Sequence, residues 1–133
     1  LRFNDYSLML IGAANEFALA EEASANWHGY KINFCGRLSP RESAAALQYA
    51  DIFIGHDSGP MHLAAAMGVP CVAIFSARNK PKVWFPYGKR HKVIYHRTEC
   101  WGCGLDVCQE HGKKCIMSIS PDEVMQNVLK ILQ

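Results

Sequence analysis

The sequence has 133 residues, half of them apolar and a fifth charged, with a formal net charge of +2. This length and composition are typical of one globular domain with a buried core. The small net charge gives no reason to expect a nucleic-acid partner, and no stretch predicts a membrane span. The chain opens on Leu and the polar run LRFNDYS, without a signal-peptide pattern. We therefore expect residues 1–133 to be one domain from a longer protein, cut at a linker.

Strand and helix patterns alternate along the chain, and the strand patterns are continuous apolar runs. In chain order, the predicted elements are a strand at 7–11, a helix at 15–27, a strand at 31–36, a helix at 38–50, a strand at 51–55, a helix at 60–68, strands at 70–76 and 92–96, and a helix at 120–133. Such alternation predicts an α/β domain with a doubly wound parallel sheet and helices on both faces.

Local signals mark several helix boundaries. Asn15 is the expected N-cap of the first helix. Ser39 and Glu42 form a capping box around a proline, and the same signal recurs from Ser120 to Glu123. Gly68 is expected to end the third helix. The last helix has one apolar face, formed by Val124, Val128, Ile131 and Leu132.

The stretch GHDSGPMH at 55–62 has more polar groups than a plain strand-to-helix connection needs. It precedes a helix at the carboxyl edge of the sheet, where α/β folds bind their ligands. The free N–H groups and the dipole of that helix favour the binding of a phosphate. Ser58 and His62 are candidate donors, Gly59 allows close approach to the backbone, and Asp57 is a candidate acceptor. A simpler interpretation stays open, in which Asp57 or Ser58 only caps the helix and His62 is a partly buried packing residue.

This order of features resembles the C-terminal half of the family 9 glycosyltransferases, which include the bacterial lipopolysaccharide heptosyltransferases. Residues 57–66 match the family pattern Asp-[Ser/Thr]-Gly-x-x-His-Leu-x-Ala-Ala at every fixed position. IGAANE at 11–16 is similar to the family's Gly-x-x-x-Glu corner, and GRLSPRESAAALQYAD at 36–51 to its Leu-Ser loop and alanine-rich helix. The resemblance extends from about Ser7 to the end of the chain.

The resemblance implies a Rossmann-like domain, one half of the two-domain GT-B architecture, that binds a nucleotide diphosphate sugar such as ADP-heptose. The donor-binding residues that it implies are Gly12, Glu16 and Leu38 for the nucleoside, and Asp57, Ser58, Gly59 and His62 for the diphosphate and sugar. The implied enzyme transfers a sugar to lipopolysaccharide or another glycan without a required cofactor, in the bacterial cytoplasm or at the inner face of the membrane. The family's general base belongs to the other half, so this chain alone should be inactive.

Like the cysteine-rich segment at 100–115, the loop SARNKPKVWFPYG at 76–88 departs from the simplest members of that family. Its cations at Arg78, Lys80 and Lys82 either neutralise the diphosphate or are solvated. Trp84 and Phe85 are expected to pack in the core rather than stack on a ligand. The loop leaves the identity of the transferred sugar open.

The six cysteines fall into two groups. Cys35 and Cys71 lie in apolar runs and are expected to be small core residues. The other four lie within residues 100–115, the cysteine segment, at Cys100, Cys103, Cys108 and Cys115. Structural zinc, disulfides or free thiols, and an iron–sulfur cluster all stay open for these four, with His111 as a substitute ligand.

Other functional classes fit the sequence less well. A flavodoxin-like domain that only senses a ligand should have an acidic pair after the first strand, and LIGAAN has none. A nicotinamide oxidoreductase should have Gly-x-Gly-x-x-Gly there, and only Gly12 is present. A zinc-bearing interaction module without catalysis is the other alternative to a transferase.

Overall fold

The structure, a computed structural model, describes residues 5–133. The first four residues of the polar opening therefore lie outside the described residues. Contacts divide the chain into two compact units, Leu1–Ala45 and Ala46–Gln133. That residues 1–133 act as one nucleotide-sugar-binding domain stays a prediction.

The first unit contains two short parallel strands, β1 (Leu8–Leu10) and β2 (Lys31–Asn33). Between them, a 3-10 turn at Ala14–Glu16 leads into helix α1 (Phe17–Ala23). Helix α2 (Pro40–Leu47) starts in this unit and ends in the second. The Asn33 side chain fixes α1 against β2, because its amide donates to the carbonyl of Phe17 at 3.2 Å and to the carboxylate of Glu21 at 2.8 Å.

The second unit contains three parallel strands in the order β3-β4-β5 and three helices. Its elements in chain order are β3 (Phe53–His56), α3 (Gly59–Ala66), β4 (Cys71–Phe75), β5 (Lys92–Tyr95), α4 (Lys114–Met117) and α5 (Pro121–Leu132). The central strand β4 is the most apolar of the three and its side chains are almost all buried, as expected for a parallel strand covered on both faces.

The core of the second unit lies between this sheet and α5. Val72, Ile94 and Val128 are buried together. The partly buried residues around them are Ile52, Ile119, Val124, Ile131 and Leu132. The predicted apolar face of the last helix is therefore confirmed.

Most of the predicted helix boundaries are also confirmed. At α2, the Ser39 N–H donates to the Glu42 carboxylate at 2.8 Å and the Glu42 N–H donates to the Ser39 hydroxyl at 3.3 Å. At α5, the Ser120 hydroxyl accepts from the Glu123 N–H at 3.1 Å. Gly68 follows α3 with φ +77°, in the left-handed conformation that ends helices.

Asn15 as the N-cap of the first helix is wrong. Asn15 lies inside the 3-10 turn, and Glu16 closes that turn by accepting from the Ala13 N–H at 2.6 Å. The longer side chain of Glu16 reaches back three residues, which leaves no capping role for Asn15.

The five predicted strands are present, and the strands of each unit pair in parallel, which confirms the predicted α/β class. Hydrogen bonds join them as two sheets, one in each unit. In the second unit, His56 at the end of β3 lies opposite Ile74 in β4, and Phe75 lies opposite Tyr95 in β5. The loops after these three strands therefore leave from one carboxyl edge, where α/β folds bind ligands. None of the helices in residues 5–133 has the length and apolar character needed to cross a membrane.

Candidate functional site

The turn between β3 and α3 presents an uncapped helix N-terminus. Ser58 occupies the N-cap position with an extended backbone (φ −156°, ψ 163°), but its side chain makes no capping hydrogen bond. The N–H groups of Met61 and His62 donate to the Ser58 carbonyl at 3.2 and 3.4 Å. The N–H of Gly59, the first helical residue, has no partner within its own helix by position. The hydroxyl of Ser58 and the N–H of Gly59 are therefore suited to an external acceptor.

Asp57 and His62 are brought together at this turn. The Asp57 Oδ1 lies 3.9 Å from the His62 Nε2, and the two side chains are 35% and 42% exposed. Both side chains can therefore be reached from solvent, and the alternative in which His62 is a partly buried packing residue stays open. The arrangement offers one donor and one acceptor beside a helix N-terminus, a combination that suits an anionic ligand carrying hydroxyl groups.

Space in front of Gly59 is open. A Cβ placed on Gly59 would have no heavy atom within 4 Å apart from its own residue, its chain neighbours and the backbone of its helix. The packing of the chain itself therefore does not require glycine at position 59. We still predict that glycine is present here because it allows a ligand to approach the backbone closely.

The corner after β1 is built around the Glu16 carboxylate. A Cβ on Gly12 would lie 2.7 Å from Glu16 Oε2 and 3.1 Å from the sulfur of Cys35, so a side chain here would displace the Glu16 carboxylate. The Gly12 carbonyl accepts from the Gly36 N–H at 2.9 Å. One carboxylate oxygen of Glu16 bonds the backbone of Ala13, and a carboxylate has a second oxygen with which to accept from a ligand hydroxyl.

Leu38 lies in the bend between β2 and α2. Its side chain is half-buried. The predicted role concerns only its backbone, which leads directly into the capped start of α2 at Ser39.

The long loop after β4 is partly engaged in contacts of its own. Arg78 donates to the Asp106 carboxylate at 2.6 Å, so its charge is already partnered. The Phe85 ring packs on Phe75 and Tyr95, with centroids 4.9 and 5.9 Å apart, which confirms its core role. The same expectation is wrong for Trp84, whose side chain is 53% exposed because the loop turns it outward.

Two of the six cysteines are core residues, as predicted. Cys35 and Cys71 are buried, and burial raises the pKa of the Cys71 thiol to about 11. The four cysteines of the cysteine segment line one cavity. Among the described residues, no three or more His, Cys, Asp or Glu side chains are placed to hold a metal ion.

Comparison with known proteins identifies the family. The model of glycosyltransferase family 9 (heptosyltransferase) matches residues 2–114, most of the chain. The chain belongs to glycosyltransferase family 9. The resemblance carried by residues 57–66 is thereby confirmed.

Two curated relatives are heptosyltransferases by name. Lipooligosaccharide heptosyltransferase 2 of Campylobacter jejuni subsp. jejuni serotype O:2 is 27% identical over 101 residues, which cover 76% of this chain and 32% of the relative. Lipopolysaccharide core heptosyltransferase OpsX of Haemophilus influenzae is 27% identical over 82 residues, which cover 62% of this chain and 23% of the relative. This family 9 chain thus spans no more than about a third of the length of these relatives.

Two solved structures share the fold. The family 9 glycosyl transferase from Veillonella parvula superposes with a TM-score of 0.82 at 23% identity, over 96% of this chain and 37% of that one. The Escherichia coli ADP-heptose lipopolysaccharide heptosyltransferase II superposes with a TM-score of 0.73 at 21% identity, over 96% and 36%. The Rossmann-like fold expected from the sequence is confirmed.

One polar cluster of this family 9 chain was missed by sequence reasoning. The His96 ring lies just after β5, with Nδ1 2.8 Å from the Ser118 hydroxyl and Nε2 3.0 Å from the Glu123 carboxylate. It joins the end of α4 to the first turn of α5. Glu123 had been assigned only to the capping box, and no local pattern connects it to a histidine 27 residues away.

Proposed function

We propose that this chain is the donor-binding half of a glycosyltransferase that uses a nucleotide diphosphate sugar. The observation that carries the proposal is the turn from Asp57 to His62. There an uncapped helix N-terminus, a half-exposed histidine and a carboxylate meet at the carboxyl edge of a parallel sheet. Family 9 membership supports the assignment, because the residues of this turn are those of the family pattern.

The turn suits the diphosphate and the sugar. The N–H of Gly59 and the positive end of the α3 dipole favour a phosphate oxygen, and the open space at Gly59 leaves room for it. Ser58 and His62 add side-chain donors. Asp57 carries a negative charge that would repel a phosphate, so we assign it to the sugar hydroxyls and to His62, its neighbour at 3.9 Å.

We assign the nucleoside to residues of the first unit. Glu16 accepts from the ribose hydroxyls through the carboxylate oxygen that does not bond Ala13. Gly12 keeps space for that carboxylate, and the backbone at Leu38 faces the base. The relatives named as heptosyltransferases support a donor of the ADP-heptose kind.

The proposed reaction is a displacement at the anomeric carbon of the donor sugar. An acceptor hydroxyl oxygen forms the new glycosidic bond while the bond to the diphosphate oxygen breaks, and the nucleoside diphosphate leaves with the electron pair. The acceptor proton passes to a general base, which we place outside this chain. The donors of the turn stabilise the charge on the leaving diphosphate, so the proposal includes no cofactor. The acceptor is lipopolysaccharide or another glycan, reached from the cytoplasm or the inner face of the membrane.

Calorimetric titration of the chain with nucleotides tests this proposal. We expect weak but measurable binding of ADP, and weaker binding of adenosine, because adenosine lacks the diphosphate that the turn would hold. GDP and UDP serve as probes of base selection. The absence of heat with every nucleoside diphosphate, or equal affinity for adenosine and ADP, would contradict the proposal.

A further inference from the structure

A cavity of about 250 Å³ opens at the carboxyl edge of the β3-β4-β5 sheet. Ser76 and Arg78, which follow β4, and Thr98, which follows β5, form part of its wall. The cysteine segment forms most of the rest and contributes His111 and all four of its cysteines. The turn from Asp57 to His62, to which we assign the sugar donor, does not use any of these sulfur atoms.

The backbone of the cysteine segment is attached to the loop after β4. The Gly102 N–H donates to the Ala77 carbonyl at 2.7 Å, and the Gly104 N–H donates to the Arg78 carbonyl at 2.8 Å. Both glycines have positive φ, +74° and +68°, so the chain turns tightly on each side of Cys103.

Hydrogen bonds already reach two of the sulfur atoms. The Lys113 N–H donates to the Cys108 sulfur at 3.4 Å, and the Thr98 hydroxyl lies 3.4 Å from the Cys100 sulfur. Metal-bound ligands are commonly supported by such outer hydrogen bonds. Lys113 also has φ +55°, an uncommon conformation for a residue other than glycine, and it immediately precedes α4, which contains Cys115.

We propose that Cys100, Cys103, Cys108 and Cys115 bind one Zn²⁺ as four thiolates. Four thiols that line one cavity, two of them with hydrogen-bonded sulfur atoms, match the ligand number and type of structural zinc sites. Lys113 lines the same cavity and would offset part of the negative charge of a four-thiolate site, whereas Arg78 and Lys114 are already paired with Asp106 and Glu99. Each thiol releases its proton when its sulfur binds the metal.

The site is assembled by the metal and is not preformed. Within the part of the chain that the structure describes, the thiols line the cavity without meeting as a ligand set. Binding therefore requires the turns at Gly102, Gly104 and Gly112 to close around the ion, and the metal supplies the free energy that orders the segment. This inference does not depend on the donor-binding proposal.

The test uses the reduced, metal-free chain and Zn²⁺ as the only added ion, in competition with a chromophoric chelator. We expect one Zn²⁺ per chain and protection of four thiols from a thiol reagent in the folded protein. Co²⁺ in place of Zn²⁺ should give the visible absorption of a tetrahedral thiolate complex. Equal thiol reactivity with and without Zn²⁺, or acid-labile sulfide in the purified protein, would overturn the assignment.

Two variants locate the ligands. Cys103 is exposed, so Cys103→Ser should fold normally by circular dichroism and lower the Zn²⁺ affinity more than about tenfold. His111→Ala is the matched control in the same segment and should leave the affinity unchanged. An equal loss in both variants would overturn the four-thiolate ligand set. Mass spectrometry that finds Cys103 in a disulfide in the protein purified without reductant would overturn the site itself.

Discussion

His62 is the residue on which the donor-binding proposal depends most directly. Its imidazole is 42% exposed and lies in the first turn of α3, where a donor can reach a phosphate oxygen beside the helix dipole. We expect His62→Ala to weaken ADP binding by roughly 1–3 kcal/mol, the scale of a hydrogen bond to a charged acceptor. The melting temperature should change little, because the side chain is half-exposed and alanine is a good helix former.

Both quantities are to be measured on the same His62→Ala protein, by calorimetry and thermal denaturation. His28→Ala removes an exposed histidine from the first unit and is the control for a general effect of losing one imidazole. A melting temperature lowered by several degrees with ADP affinity unchanged would assign His62 to packing.

The polar residues of this turn were predictable because they are neighbours in the sequence. Asp57, Ser58, Gly59 and His62 fall within one strand-to-helix connection, so local chemistry determines where they meet. His96 was not predictable, because its partners Ser118 and Glu123 lie 22 and 27 residues away. Only the folded arrangement of β5, α4 and α5 brings these three together.

At the scale of elements, the same contact stands at the start of α1 and of α2: a glutamate carboxylate accepts from the backbone N–H three residues before it. Glu16 accepts from the Ala13 N–H at 2.6 Å before α1, and Glu42 accepts from the Ser39 N–H at 2.8 Å at the start of α2. Hydrogen bonds from the Ser39 side chain and backbone lower the pKa of Glu42. The proposal gives a second role, acceptance from ribose hydroxyls, to Glu16 alone.

We expect Glu16→Gln and Glu42→Gln to have similar, small effects on stability, because glutamine keeps an oxygen that accepts from the backbone. Only Glu16→Gln should weaken ADP binding, by about 1–3 kcal/mol for a lost charged hydrogen bond. Calorimetric titration of both variants with ADP and with a 2′,3′-dideoxy analogue separates the roles. Equal affinity of the unmodified chain for the two nucleotides would exclude the ribose contact.

The helix caps show how far local sequence determines an element. The capping boxes at Ser39 and Ser120 were predicted because each depends on side chains within three residues of one another. The prediction for Asn15 was wrong because the carboxylate of the next residue, Glu16, accepts from the Ala13 N–H and closes the turn. Helix α4 was not predicted, since its four residues lie within the irregular cysteine segment and have no amphipathic pattern.

At the scale of the whole molecule, the alternation of strands and helices was sufficient to predict the α/β class. The division of the chain at Ala45 was not predictable, because it falls within α2, whose sequence has no glycine or proline after its start. Contacts between residues distant in sequence determine that boundary, whereas the apolar pattern of α2 is continuous across it.

Under the proposed function, this chain binds the donor and the general base lies in a second half. This chain spans no more than about a third of its curated relatives, and we place the general base outside it. Loss of a general base alone slows a reaction by about 10²–10⁴-fold. With ADP-heptose and a lipopolysaccharide acceptor, the chain should therefore transfer sugar at least about a hundredfold more slowly than a family 9 heptosyltransferase that has both halves, while still binding ADP. Mass spectrometry of the acceptor measures transfer, and calorimetry on the same preparation shows that the chain is folded and competent to bind. Transfer by the chain at the rate of such a two-half enzyme would place the base within residues 1–133 and contradict this division.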